Sequence, residues 1–131
     1  MCVSLIVMSE EAERLKQRTM RFALDVCELI KQLPHLEPGS LIRYQLAKSA
    51  TSVAFNYRAS CRARSHAEFT AKIGLVAEEA DESQGWLEFI EASRLIRSTA
   101  LTRLIGESCE LVAIFSASVG TARHNQRNRK S

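Results

Sequence analysis

Apolar positions recur along this chain at steps of three and four, the spacing that keeps them on one face of an α-helix. In the first such stretch, from about Ser9 to Leu33, the stripe is Phe22, Val26, Leu29 and Leu33. Ser9 stands where an N-cap belongs, ahead of an acidic first turn of Glu10, Glu11 and Glu13. Residues 1–8 precede it as an apolar arm. Pro34 and Pro38 break the pattern in the segment PHLEPGS. A second helix is expected from Ser40, as its cap, to about Cys61. Its inner stripe is Ile42, Leu46, Ser49, Val53, Asn56 and Ser60, with Tyr57 beside it. After the short connection CRARS, Ser65 and Glu68 form a capping box that opens a third helix, ending near Ser93. Its seam is Phe69, Ile73, Val76, Ala80, Ser83, Leu87 and Ile90, an unbroken heptad spacing. A fourth helix is expected from about Ser98 to Arg123, with Leu101, Ile105, Ser108, Val112, Phe115, Val119 and Ala122 as its seam. Residues 125–131 form a basic tail, expected to fray.

Four helices with short connections fit most simply into one all-α domain over residues 1–131, an up-down-up-down antiparallel four-helix bundle. The chain has 131 residues, 46% hydrophobic and 25% charged, the balance of a globular protein rather than a disordered one. No apolar run is expected to reach bilayer length, and MCVSLIVM lacks the basic start and cleavage site of a secretion signal. A cytoplasmic protein with no membrane partner is therefore expected. Cys2, Cys27, Cys61 and Cys109 form no CxxC pair, which argues against zinc and against a disulfide framework. Cys27, Cys61 and Cys109 are expected at the edges of the core. Gly74, Gly85, Gly106 and Gly120 fall inside helices, where each costs about 1 kcal/mol relative to alanine. Close approach of another helix would account for them; simple tolerance in long helices is the alternative.

The net charge is only +3, but the charges are segregated. Between Ser40 and Ala67 lie Arg43, Lys48, Arg58, Arg62 and Arg64 and no acid. The acids gather at Glu78, Glu79, Asp81, Glu82, Glu88 and Glu91, and the tail is basic again. Such a surface attracts a phosphate backbone while the total charge stays near neutral. Lys48, Arg58, Arg62 and Arg64 are the candidate nucleic-acid contacts, helped by Arg127, Arg129 and Lys130. Apolar stripes also fall outside the seams: Tyr44 and Phe55 on the second helix, and Leu75, Trp86 and Phe89 on the third. They are the candidate interface of a homo-oligomer, unless the helices are covered on more than one side within a single bundle. Basic residues interleaved with Tyr44 and Phe55 suit phosphates and stacked bases. The alternative is that these charges pair with the acidic third helix of a neighbour.

Catalytic chemistry finds no foothold. His35, His66 and His124 have no nucleophile at a working spacing, and there is no P-loop or GxGxxG. A di-iron bundle needs Glu-x-x-His pairs, and none occurs. Acidic pairs do occur, at Asp25/Glu28, Glu78/Glu82 and Glu107/Glu110, but Glu78, Asp81 and Glu82 fall outside the third seam, as on a solvated face. Ser49, Ser52 and Asn56, with Ser83 and Ser108, need buried partners and are expected to fix helix register or to bond the backbone of a neighbouring helix. No enzyme, catalytic residue, metal or cofactor is expected.

The stretch from Lys48 to Ser93 resembles the four-helix-bundle proteins named for intervening sequences in 23S ribosomal RNA genes. The resemblance is carried by T-S-V-x-x-N (Thr51 to Asn56), N-Y-R-A-x-C-R-A-R-S (Asn56 to Ser65), E-F-x-x-K (Glu68 to Lys72), E-E-A-D-E-S (Glu78 to Ser83) and W-L-E (Trp86 to Glu88). It continues weakly through E-S-C-E-L-V-A-I near the end of the chain. Where that family usually carries glycines, this chain has Ala50 and Ala54, and Phe55 replaces a small residue. The resemblance implies an up-down bundle, a ring-like homopentamer, no catalysis, and a role with nucleic acid. A similar fold serves as an accessory protein to reverse transcriptases, so the alternative function is an adaptor that binds another protein through its aromatic stripes.

Overall fold

The structure is a computed structural model that describes residues 3–130, with side chains described for residues 10–129. Met1, Cys2, the side chains of the expected N-terminal arm and the side chain of Lys130 lie outside the described residues. Helix α1 spans Val3–Leu29 and ends in one 3-10 turn, Ile30–Gln32; α2 spans Gly39–Ser60, α3 His66–Ser93 and α4 Thr99–Lys130.

Three helix ends differ from the sequence expectation. α1 starts at Val3, so Ser9 lies inside the helix and does not cap it. The run from Val3 to Met8 contains no glycine or proline to stop it. α2 starts at Gly39 with Pro38 at the N-cap, and Ser40 donates its hydroxyl hydrogen bond to the Glu37 carboxylate instead of capping. α4 continues past Arg123 to Lys130 because nothing after Gly120 breaks it. The α3 cap is as expected: Ser65 Oγ accepts from the Glu68 N–H at 3.1 Å. The returning carboxylate accepts from the Arg64 N–H at 3.3 Å, one residue earlier than in a standard capping box. Ser98 Oγ accepts from the Leu101 N–H at the start of α4.

Cross-helix pairs give the topology. His66 meets the Ala122 carbonyl at 3.0 Å and Gln84 meets Cys109 at 3.2 Å, so α3 and α4 run antiparallel. Arg18 meets Glu107 and Arg103 meets Asp25, so α1 and α4 are antiparallel too. With the short α1–α2 and α2–α3 connections, this is the up-down-up-down bundle. In the first connection, the Arg43 guanidinium donates to the Leu33 and Pro34 carbonyls at 2.9 and 2.8 Å. A Cβ on Gly39 would lie 2.0 Å from the Pro34 carbonyl oxygen, which accounts for glycine there.

Phe22, Val26, Leu29, Ile42, Leu46, Val53, Ile73, Val76, Leu87 and Ile90 are buried in one core, as the stripes predict. On α4, Leu101, Ser108, Phe115, Val119 and Ala122 of the expected seam are buried, but its other two positions shift by one residue. Leu104 and Leu111 are buried, whereas Ile105 and Val112 are only partly so. Inside the core the Ser83 hydroxyl lies 2.9 Å from Ser49 Oγ and 2.9 Å from the Glu79 carbonyl, and Ser49 donates to the Leu46 carbonyl. Asn56 donates to the Ser52 carbonyl of its own helix. Cys61 and Cys109 are exposed and Cys27 is intermediate, so the first two are not core-edge residues as expected.

The helical glycines have open space where a Cβ would stand, so no helix of the same chain explains Gly74, Gly85, Gly106 or Gly120. Gly106→Ala and Gly120→Ala are each expected to raise the unfolding free energy by about 0.5–1 kcal/mol in denaturant melts. A loss of stability in either variant would mean that the face is covered by something outside the chain. Contrary to the sequence expectation, α4 over Thr99–Arg129 is long and apolar enough to cross a membrane by length and composition. Here its Leu101, Leu104, Leu111 and Phe115 pack into the core of the bundle.

Candidate nucleic-acid interface

A groove of about 820 Å³ runs between α1 and α2. Six basic residues line it, Arg14, Lys16, Arg18, Arg21, Arg58 and Arg62, against a single acid, Glu13. Met20, Leu24 and Ala54 supply its apolar lining. The cations are brought together by local geometry: Arg14, Arg18 and Arg21 repeat at steps of four and three on α1, and Arg58 in the last turn of α2 is followed by Arg62 in the turn just after it. Ala54, 2% exposed, is a small buried residue in the groove wall.

Three of the six cations are already paired. Lys16 lies 3.0 Å from Glu13, whose carboxyl is held below the usual range by that hydrogen bond and charge. Arg21 lies 3.7 Å from Asp25, and Asp25 also meets Arg103 of α4 at 3.3 Å. Arg18 is held by Glu107 in a bidentate pair, which raises its pKa further. Arg14, Arg58 and Arg62 are exposed and have no ion-pair partner among the described residues. These three are the cations most available to an incoming anion.

Of the residues expected from sequence, Arg58 and Arg62 line the groove, and Lys48 and Arg64 do not. Lys48 is close enough to Glu79 to oppose the upward shift that burial gives that carboxyl. Arg64 is exposed in the α2–α3 connection. Because His66 meets Ala122, Arg64 and the last turns of α4, with Arg127 and Arg129, belong to the same end of the bundle. The groove opens toward that end through Arg62. Arg14, Lys16, Arg18 and Arg21 escape the sequence reading; the repeat of the α1 arginines at steps of four and three is the signal that could have found them.

The expected interface residues also have clear placements. Tyr44 is 64% exposed, Phe55 56%, Phe89 47% and Leu75 42%, so α2 and α3 each carry large uncovered apolar side chains. Trp86 differs from the other four: it is partly buried against the core and meets Phe89 edge-on at 5.9 Å. Buried Tyr57 packs on Phe115 at 5.4 Å, and burial pushes its phenol pKa up. Among the described residues no group of three or more His, Cys, Asp or Glu side chains is placed to hold a metal ion.

Comparison with known proteins places this architecture. The family described as 23S rRNA-intervening sequence protein matches residues 11–117. A solved structure from Bacteroides thetaiotaomicron, a protein of unknown function from the S23 ribosomal protein family, is similar in fold, with a TM-score of 0.72. The two chains are 25% identical, over 80% of this chain and 97% of that one. No curated protein matches the chain.

Proposed function

This chain belongs to the 23S rRNA-intervening sequence protein family, and from that premise we propose that it is a non-enzymatic bundle protein that binds structured RNA or DNA. The observation that carries this reading is the α1–α2 groove, with six cations on its walls against one acid. Phosphates spaced along a duplex meet Arg14, Arg58 and Arg62 first, and the arginine fork suits phosphate oxygens. Arg64, Arg127 and Arg129 extend the positive field beyond the groove, while Lys48 lies off it. Contacts of this kind give weak sequence preference. The protein works in the cytoplasm and needs neither metal nor cofactor.

The functional unit is a homo-oligomer, with five copies the number that the family resemblance implies. Repetition of the groove around a ring raises the effective concentration of each site for a long ligand. Tyr44, Phe55, Leu75 and Phe89 supply the subunit contact. Phe55→Ser combined with Phe89→Ser is expected to reduce the mass in light scattering to that of one chain. An unchanged mass would remove these side chains from the interface. In that event the same face favours the second reading, an adaptor that docks another protein on its exposed aromatics.

The test of the main reading is fluorescence anisotropy with a structured RNA and a duplex DNA at several salt concentrations. Neutralisation of about six phosphates makes affinity fall by ~10³ between 50 and 200 mM salt. An apolar protein interface responds little to the same change. Absence of binding to both ligands at 50 mM salt would overturn the nucleic-acid reading in favour of the adaptor.

A further inference from the structure

Arg18 belongs to two places at once. It lines the α1–α2 groove, and it reaches across to α4. Its Nε and Nη2 each donate to a different oxygen of Glu107, both at 2.7 Å. A second carboxylate, Glu110, stands 3.4 Å from the same Nη2. Two acids against one cation leave this cluster with no net positive charge to offer the groove. The fork that holds a carboxylate in two parallel hydrogen bonds fits two phosphate oxygens equally well. The pair is also within reach of a ligand, since the Arg18 side chain is 34% exposed and the Glu107 side chain 23%.

The other paired groove cations are arranged differently. Lys16 and Arg21 find their acids on their own helix, three and four residues away. Arg18 alone among the six is itself held by another helix. Beside it, α1 and α4 are separated by a cleft of about 380 Å³ that includes Arg21, Asp25, Arg103, Glu107 and Glu110 in its walls. α1 is therefore tied to α4 here largely through charged side chains, and an anion that takes Arg18 away from Glu107 undoes one of those ties.

Resting on the reading that the groove takes phosphate, we infer that Glu107, backed by Glu110, is an intramolecular competitor that withholds Arg18 from the nucleic-acid backbone. The carboxylates on α4 thus restrain binding at a groove built by α1 and α2. A phosphate that displaces them gains a fourth arginine and loosens the α1–α4 packing in the same event.

The experiment titrates a fluorescein-labelled DNA duplex with the parent protein, Glu107→Gln, Glu110→Gln, and Arg18→Gln combined with Glu107→Gln. Circular dichroism and light scattering verify that helix content and assembly match the parent. Glu107→Gln is expected to bind on the order of tenfold more tightly at 50 mM salt, with the log–log salt slope steeper by about 0.9, the signature of one more neutralised phosphate. Glu110→Gln, which leaves the bidentate pair in place, is expected to gain about two- to threefold by weakening the same competition. The gain of Glu107→Gln should vanish when Arg18 is also replaced. Unchanged or weaker binding by Glu107→Gln overturns the inference, as does a gain that survives the loss of Arg18. If Glu107→Gln fails to fold, Glu110→Gln carries the test, and the absence of a gain there has the same meaning. A parent that binds nothing at 50 mM salt removes the groove reading and this inference together; a parent that binds while the variants show no gain removes the inference alone.

Discussion

Replacing Arg14, Arg58 and Arg62 together by alanine is expected to weaken binding of duplex DNA or structured RNA about 10³-fold at 50 mM salt. The magnitude follows from counterion release. Each phosphate left without its arginine takes about 0.9 off the log–log salt slope, so the triple variant should respond less steeply by about 2.7. Both numbers come from one titration series, and agreement between them separates removal of charge from damage to the fold. Damage is not expected, because all three side chains are exposed and none is ion-paired among the described residues. Light scattering on the variant verifies that the assembly is kept. Lys48→Ala serves as the contrast. Lys48 is not among the groove residues, so its effect should be well below the tenfold expected of a groove arginine. If the triple variant binds like the parent, the groove is not the working surface, and the exposed end with Arg64 and Arg129 becomes the next candidate.

Leu111→Ala is expected to cost about 2–5 kcal/mol of stability, while Val112→Ala costs about 1 kcal/mol or less. Leu111 is fully buried between residues of the core, and its neighbour Val112 is only partly covered. Removing the leucine leaves a cavity that the packed helices fill incompletely, and that adds to the forfeited transfer energy. A loss of about 3 kcal/mol lowers the Tm by roughly 10 °C for a chain of this length. Thermal melts of the two variants side by side decide which of these neighbours faces the core. Equal losses, or a larger one at Val112, would restore Val112 to the seam read from the sequence.

That one-residue shift at two positions shows where the apolar pattern stops being informative. α4 carries Leu104 beside Ile105 and Leu111 beside Val112, so two neighbouring stripes are both apolar and either satisfies the heptad spacing. Only packing against α3 and against Tyr57 chooses between them. α3 is legible throughout because its residues from Ile73 to Ile90 keep an unbroken heptad spacing that the neighbouring Leu75, Trp86 and Phe89 do not, and Ser65 and Glu68 mark its start. The start of α1 differs from expectation for a local reason. Ser9 and the acids after it have the composition of an N-terminus, but nothing in the residues before them opposes helix.

The groove is half legible. Arg58 and Arg62 lie in a stretch with no acid, and such a stretch is conspicuous along the chain. The α1 cations Arg14, Lys16, Arg18 and Arg21 are bracketed by Glu10, Glu11 and Glu13 before them and Asp25 after, so the helix as a whole looks balanced. Their importance comes from the end of α2 and the turn after it, which lay Arg58 and Arg62 alongside them, and from α4, whose carboxylates engage only Arg18 among them. Neither helix is near α1 in sequence, and no local pattern carries that information.

The Ser49–Ser83 pair has a bearing on how the bundle distinguishes its own copies of one motif. A seam that repeats every seven residues looks the same to its partner after each shift of seven; hydrocarbon against hydrocarbon does not record position. Sliding α3 along α2 by one such step would set Val76 against Ser49 and Ser83 against Ile42, with apolar neighbours everywhere else still meeting apolar neighbours. The hydroxyl pair breaks that translational symmetry, since the shifted arrangement forfeits one buried hydrogen bond, about 1 kcal/mol, that only a single alignment provides. Two small polar side chains thereby act as an index mark on an otherwise unmarked scale.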